Sequence, residues 1–114
     1  MNGPFYVGID AGSSATKCVA LDPAGELIGR SVVPSGFDYS IAAEAALAGA
    51  GVSPDRIAGC VATGYGRDRV PWATRRITEI TCHARGAYQW YPQVRGIIDI
   101  GGQDTKIIRL NAHG

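Results

Sequence analysis

The sequence has almost no net charge, because 11 Lys and Arg residues face 10 Asp and Glu residues and leave a formal charge of +1. A chain without a basic excess has no general electrostatic attraction for nucleic acid or for an anionic membrane surface. We therefore expect neither as a partner.

Long apolar runs are also missing, and none approaches the roughly 18 residues that a membrane-spanning helix needs. Residues 1–5, Met-Asn-Gly-Pro-Phe, lack the charged and apolar segments of a secretory signal peptide. These two absences predict a cytoplasmic protein with no membrane anchor.

Cysteine is scarce: Cys18, Cys60 and Cys82 are odd in number and far apart, and no Cys-x-x-Cys pair occurs. This spacing indicates neither a disulfide framework nor a local zinc site. We expect three reduced thiols in apolar surroundings.

What the sequence does have is an internal repeat. Residues 9–21, IDAGSSATKCVAL, return at 98–110 as IDIGGQDTKIIRL, with six of 13 positions identical and a constant offset of 89. Each copy reads as an apolar strand that ends in Asp, a turn of small residues and a second strand that opens on Thr-Lys. The repeat therefore predicts two β-hairpins with polar tips, which suggests two clamps on one ligand.

The length of 114 residues suits one domain and is too short for two. If the hairpin opens each of two related domains, the first spans residues 1–95, and only the first hairpin of the second, residues 96–114, is present. The isoleucines of that hairpin would lack the rest of their sheet. We expect residues 96–114 to pair with an edge of another chain or to pack back onto their own domain.

The predicted elements follow a recognisable order. Strands at 5–10, 16–21 and 26–33 form an antiparallel meander, with a turn at 22–25. A helix capped by Asp38, with Ile41, Ala45 and Ala48 at helical spacing, leads to a strand at 57–62, which implies a parallel crossover. A short strand near 75–78, a helix that begins at Glu79 and a strand at 96–100 follow.

This order is that of a ribonuclease-H-like half domain, and duplication of that unit builds the actin-like ATPase fold. We therefore predict an α/β fold with a mixed sheet, in which a three-strand meander is joined by parallel crossover strands and flanked by helices.

Four segments together resemble one family: residues 8–14 with Lys17, residues 62–67, residues 78–84 and residues 99–104. They resemble the ATPase activators of 2-hydroxyacyl-CoA dehydratases and the related ATPase subunits of benzoyl-CoA reductases. The resemblance implies an iron–sulfur protein, a homodimer or subunit assembly, that uses ATP to drive electrons to a CoA-thioester dehydratase or reductase. In that family the cysteines of the [4Fe–4S] cluster lie beyond the second hairpin, so we expect no cluster in these 114 residues and no activity from them alone.

The two hairpin tips are the candidate ATP or ADP site. Asp10 and Asp99 hold the same place in the two copies, and such carboxylates can bind Mg²⁺ through its waters. The phosphate contacts would come from the turn glycines, hydroxyls and lysines, namely Gly12, Ser13, Ser14, Thr16, Lys17, Gly101, Gly102 and Lys106. The alternative is that each Asp only caps its own turn.

Three residues are candidates for catalysis. Gln103 and Asp104 replace Ser14 and Ala15 of the first copy and are suited to orient a water or a metal. Glu79 stands at a helix start, which favours its charged form, and is a candidate to orient the attacking water; the alternative is a plain helix-terminus charge.

Two other functions stay open from the sequence. One is a small-molecule (sugar) kinase of the same superfamily, with Glu79 as general base toward a sugar hydroxyl. The other is a non-catalytic fold fragment.

Overall fold

The chain divides into two compact units, one that runs through Arg76 and one that comprises Ile77–Gly114. The computed structural model describes residues 3–101 and 104–114. Two predicted site residues, Gly102 and Gln103, lie outside the described residues.

The first unit is built on a five-stranded mixed sheet with the order β3-β2-β1-β4-β5. Its strands are β1 (Phe5–Ala11), β2 (Ala15–Leu21), β3 (Leu27–Pro34), β4 (Ile57–Thr63) and β5 (Arg75–Arg76). The first three pair antiparallel, whereas β4 runs parallel to β1 and β5 runs parallel to β4. The predicted meander and the parallel crossover strand are therefore confirmed, and β1 lies at the centre of the sheet.

Buried and exposed side chains alternate along β1, so the two faces of the sheet differ in composition. Phe5, Val7, Ile9 and Ala11 are buried, whereas Tyr6 between them is 48% exposed. Because successive side chains of a strand point to opposite faces, Asp10 projects from the face opposite Ile9. The apolar face of β1 thus builds the core and the other face carries the carboxylate.

A single helix, α1 (Tyr39–Gly49), packs on the core face of this sheet. Its predicted N-cap is confirmed, since the Asp38 carboxylate accepts hydrogen bonds from the amides of Ser40 and Ile41. The predicted helix is confirmed, but Ile41, Ala45 and Ala48, whose spacing indicated it, are exposed, and the buried positions are Ala42, Ala43, Ala46 and Leu47. Eight of the chain's residues from 39 to 50 are apolar alanine, leucine or isoleucine, so several stripes have helical spacing and only the contact with the sheet selects one.

The segment between β4 and β5 is fixed to the sheet at several points. Val70 is fully buried in the core of the first unit. The hydroxyl of Thr74 donates to the carbonyl of Cys60 at 2.9 Å and accepts from the Cys60 amide at 3.1 Å. These contacts give the residues that follow β4 a defined backbone position.

The second unit consists of α2 (Glu79–Trp90) and a hairpin of β6 (Gly96–Ile100) and β7 (Thr105–Arg109). Ile108 is 3% exposed, whereas Ile98, Ile100 and Ile107 are 71–78% exposed. The hairpin therefore buries one face and leaves isoleucines on the other. That residues 96–114 associate with another chain stays a prediction. No helix within residues 3–101 and 104–114 is both long and apolar enough to cross a membrane.

The buried thiols of Cys18 and Cys60 give a testable chemical property. Burial, with a smaller effect of the neighbouring Cys60 on Cys18, raises the pKa of each from 9.0 to about 11. Thiolates are the reactive species, so we expect neither side chain to react with a thiol reagent at pH 8 in the folded protein. Cys82 is only half-buried and should react.

Labelling the native protein at pH 8 and mapping the modified peptides by mass spectrometry checks this expectation, with the denatured protein as control. The pKa of each buried thiol is higher in the folded than in the unfolded protein. The contribution of these thiols to the free energy of unfolding is therefore fully present below about pH 9 and is lost as the pH rises from 9 toward 11. Equal labelling rates at all three cysteines in the native state would contradict the burial described here.

Candidate functional site

The two copies of the sequence repeat form hairpins with the same register. Asp10 lies opposite Lys17 in the first, and Asp99 lies opposite Lys106 in the second. An equivalent backbone hydrogen bond closes each turn. In the first it runs from the Gly12 amide to the Ala15 carbonyl at 3.1 Å, and in the second from the Gly101 amide to the Asp104 carbonyl at 2.9 Å. The predicted hairpins are thus confirmed, and the only two lysines of the chain occupy equivalent positions in them.

The first turn leaves two amides available at its tip. Gly12 donates within the turn, whereas the amides of Ser13 and Ser14 donate to no acceptor in the described part of the chain. A Cβ on Gly12 would lie 2.7 Å from the Ala15 carbonyl oxygen and 3.5 Å from the Lys17 ammonium. Glycine is therefore required for the tight turn, and the two free amides are suitable donors to an anion.

The Thr16 hydroxyl points away from this tip. Thr16 is fully buried and its Oγ1 lies 2.8 Å from the Ser35 hydroxyl. Ser35 in turn donates a short hydrogen bond to the Gly12 carbonyl, and its amide donates to the Ser14 carbonyl at 3.1 Å. Thr16 and Ser35 thus stabilise the turn through buried hydrogen bonds. This role differs from the phosphate contact predicted for Thr16, and that contact stays a prediction.

The two carboxylate oxygens of Asp10 have different surroundings. Oδ2 lies 3.4 Å from the Lys17 ammonium, whose side chain is 49% exposed. Oδ1 is buried and has no hydrogen-bond partner among the residues that the structure describes. A Cβ on Gly64 would lie only 2.7 Å from this oxygen, so the backbone after β4 covers it closely.

Gly64 adopts φ +91°, a conformation that favours glycine. A Cβ there would also lie 2.5 Å from the Ala11 carbonyl oxygen, which accepts the Gly66 amide at 3.0 Å. The Arg67 guanidinium donates to the Gly64 carbonyl at 3.0 Å. The turn that follows β4 is thereby attached to the end of β1, beside Asp10.

The second hairpin carries a denser set of charges. The Lys106 ammonium donates to the carboxylates of Asp104 at 2.8 Å and Glu79 at 2.9 Å, and these hydrogen bonds, first the one to Asp104 and then the one to Glu79, raise the pKa of Lys106 above its usual range. Asp99 instead lies 3.2 Å from Nδ1 of His83. Three predicted site residues, Lys106, Glu79 and Asp104, are therefore in direct contact.

The residues at the first turn fit a magnesium nucleotide. Mg²⁺ keeps several waters and takes one or two carboxylates plus phosphate oxygens, so the Asp10 carboxylate, whose side chain is 27% exposed, is a suitable protein contribution. No group of three or more His, Cys, Asp or Glu side chains able to hold a metal occurs among the described residues. The cysteines do not fit an iron–sulfur cluster, which takes four thiolate ligands, because the chain has three cysteines and Cys18 and Cys60 lie buried in the separate strands β2 and β4.

Three residues important to this geometry are absent from the predicted site. Ser35 follows β3, 23 residues from the carbonyl of Gly12 that it contacts, and nothing local in the sequence indicates that contact. Thr63 ends β4 and Gly64 follows it, and the pair of glycines around Tyr65 is the sequence signal of a close backbone approach.

Comparison with known sequences places this geometry in context. Residues 7–114 match the model described as the BadF/BadG/BcrA/BcrD ATPase family. The chain is 42% identical over 113 residues to the activator of lactoyl-CoA dehydratase from Anaerotignum propionicum, a match that covers 96% of this chain and 44% of that protein. It is 38% identical over 110 residues to the (R)-2-hydroxyglutaryl-CoA dehydratase activating ATPase of Acidaminococcus fermentans, with coverage of 93% and 42%.

Solved structures give the same result. The crystal structure of the Acidaminococcus fermentans (R)-2-hydroxyglutaryl-CoA dehydratase component A superposes with a TM-score of 0.82 at 37% identity, over 94% of this chain and 43% of that one. The activator of the 2-hydroxyisocaproyl-CoA dehydratase from Clostridium difficile, with bound ADPNP, gives a TM-score of 0.82 at 35% identity, over 95% and 41%. These matches confirm the predicted α/β actin-like ATPase fold. The chain spans less than half the length of the relatives that it matches.

Proposed function

Because the chain belongs to the BadF/BadG/BcrA/BcrD ATPase family, we propose that it is the N-terminal part of an ATP-dependent activator of a 2-hydroxyacyl-CoA dehydratase. The observation that carries the proposal is the repeated hairpin, in which an Asp and a Lys lie opposite each other beside a glycine turn. Curated relatives that match over more than nine-tenths of this chain bear the names of such activators.

At the first turn we propose that ATP or ADP phosphates accept hydrogen bonds from the amides of Ser13 and Ser14. Lys17 is half-exposed and keeps donors for a phosphate oxygen beyond its 3.4 Å contact with Asp10. Asp10 would hold the waters of Mg²⁺, which when bound neutralises charge on the phosphates. The tight turn at Gly12 supports this role, because any side chain there would meet the Ala15 carbonyl.

At the second turn we propose matching roles for Gly101, Gly102, Lys106 and Asp99, and a role for Gln103 in orienting a water or a metal. Lys106 contacts both Glu79 and Asp104, so the three side chains can be held as one charged group. In this proposal Glu79 and Asp104 orient the water that attacks the γ-phosphate. The contacts support a fixed position for both carboxylates, which is what such a task requires.

For the whole protein we propose the properties that the family resemblance implies. These are a [4Fe–4S] cluster held by residues outside this chain, a homodimer or subunit assembly, a cytoplasmic location and electron delivery to a CoA-thioester dehydratase or a benzoyl-CoA reductase. We also propose that residues 1–95 form the ATPase domain and that residues 96–114 open its duplicate. The repeat of residues 9–21 at 98–110 supports that boundary.

The test uses the intact protein that contains this sequence, purified without oxygen. We expect Mg²⁺-dependent ATP turnover, bound iron, and ATP-dependent activation of a 2-hydroxyacyl-CoA dehydratase when a reductant is supplied. ADPNP in place of ATP is the matched control, because it can bind but cannot be hydrolysed.

Two results would contradict the proposal. A protein that turns over no ATP and holds no iron is not an activator of this kind. ATP consumption that responds to amino sugars and gives no dehydratase activation would instead indicate a small-molecule kinase.

A further inference from the structure

Within the described residues, just two buried side-chain oxygens lack a hydrogen-bond partner in the protein, Oδ1 of Asp10 and Oγ1 of Thr63. These residues are register partners on the parallel strands β1 and β4. Register partners on neighbouring strands project from the same face of a sheet. The two unpartnered oxygens are therefore neighbours at the same end of the sheet.

Thr63 differs in this respect from the threonines that have a structural role. The Thr16 hydroxyl bonds to Ser35, and the Thr74 hydroxyl bonds to the backbone of Cys60. Thr63 is 8% exposed, yet its hydroxyl makes no such bond. Because a buried polar group without a partner is costly, native proteins keep few of them, and functional sites are where they concentrate.

The chemistry of the two oxygens is complementary. A charged carboxylate only accepts hydrogen bonds, whereas a hydroxyl can donate one. The backbones of β1 and β4 are already fixed by their pairing, so side-chain rotation is what would bring the two oxygens into a hydrogen bond.

We propose that Thr63 is a positioning residue for Asp10. When the magnesium nucleotide binds, the Thr63 hydroxyl donates to Oδ1 of Asp10 and fixes the carboxylate with Oδ2 toward the metal-bound waters. This inference rests on the proposed nucleotide function and adds a residue that the sequence repeat does not contain. Its consequence is selective: Thr63 affects Mg²⁺ affinity and has no contact with the nucleotide itself.

Thr63→Val and Thr63→Ser in the intact protein test the proposal. Valine keeps the branched shape and removes the hydroxyl, whereas serine keeps the hydroxyl. ADP binding is measured by calorimetry in EDTA and across a Mg²⁺ titration. Loss of a hydrogen bond that orients a metal-binding carboxylate typically weakens metal affinity about 10–100-fold. We expect a shift of that size for Thr63→Val, a nearly unchanged titration for Thr63→Ser and unchanged ADP binding in EDTA for both.

The double variant Asp10→Asn/Thr63→Val separates positioning from a general structural effect. If Thr63 acts through Asp10, the double variant has the same Mg²⁺ dependence as Asp10→Asn alone. Thermal unfolding verifies that each variant is folded, and Thr63→Ala replaces the valine variant if that one is not.

Several outcomes overturn the inference. A Thr63→Val protein with the Mg²⁺ titration of the wild type refutes it and leaves the proposed function intact. Equal weakening of ADP binding in EDTA and in Mg²⁺ indicates a structural role for the hydroxyl and also refutes it. A wild-type protein that binds no ADP under either condition overturns the proposed function, and this inference with it.

Discussion

Replacing Asp10 by asparagine is expected to lower Mg²⁺-dependent ATP hydrolysis by the intact protein about 10²–10³-fold, the usual effect of removing one preorganised electrostatic contact from an active site. The amide has the shape of the carboxylate but no charge, so it holds the waters of a divalent cation poorly. The loss should appear both in the turnover at saturating Mg²⁺ and in the Mg²⁺ concentration that gives half of it.

The same substitution should leave the free energy of unfolding unchanged or higher. Asp10 buries one carboxylate oxygen that accepts no hydrogen bond from residues 3–101 or 104–114, and its other oxygen lies 3.4 Å from the half-exposed Lys17. Removing an incompletely compensated charge relieves a desolvation cost. Lower activity together with equal or greater stability is typical of a residue kept for function.

ATPase assays over a Mg²⁺ series and urea unfolding curves measure both effects. Asp55→Asn is the matched control, because the Asp55 side chain is 79% exposed and lies outside the turn. The control should retain the activity and the stability of the wild type. Asp10→Asn that retains full activity would refute the metal role, and an Asp10→Asn protein that unfolds would show that the carboxylate is structural.

The strands and turns of this fold follow from local sequence, and the site contacts do not. Asp38 was identifiable as an N-cap because its carboxylate bonds to amides two and three residues away. The helical spacing of Ile41, Ala45 and Ala48 indicates α1 but not its inner face, because the alanines form several equivalent stripes and the contact with the sheet selects one of them. Ser35 reaches Gly12 across 23 residues of sequence, a contact that neither periodicity nor propensity encodes.

The sequence repeat likewise predicts backbone structure but not side-chain contacts. It predicts the backbone of both hairpins, and the shared Asp–Lys register confirms it. It does not predict the ion pairs, because a single replacement, Ala15 by Asp104, gives the second lysine a carboxylate at 2.8 Å. The side chain of Lys17 is accordingly 49% exposed, and that of Lys106 is 23% exposed. Equivalent positions in the two copies therefore have different electrostatic surroundings.

Replacing Gly64 by alanine is expected to destabilise the protein strongly, because both the backbone conformation and the space at this position exclude a side chain. The positive φ of +91° costs an L-residue about 1–2 kcal/mol. The new Cβ would also lie 2.5 Å from the Ala11 carbonyl oxygen and 2.7 Å from Oδ1 of Asp10, so the end of β1 must shift. Overpacking of this kind typically costs about 1–3 kcal/mol more, which gives a total of about 2–5 kcal/mol.

Gly25→Ala separates the two contributions. Gly25 has φ +86°, close to that of Gly64, but a Cβ there would meet no atom within 4 Å. Replacing Gly25 by alanine should therefore lower the free energy of unfolding only by the cost of the positive φ, about 1–2 kcal/mol. Urea unfolding of the two variants and the wild type gives the difference, which measures how tightly the turn after β4 covers Asp10. Equal destabilisation by the two alanines would mean that this turn can move away from the Asp10 carboxylate at little cost. A Gly64→Ala protein that binds magnesium ADP normally would show that the close packing of this turn on Asp10 is not part of the site.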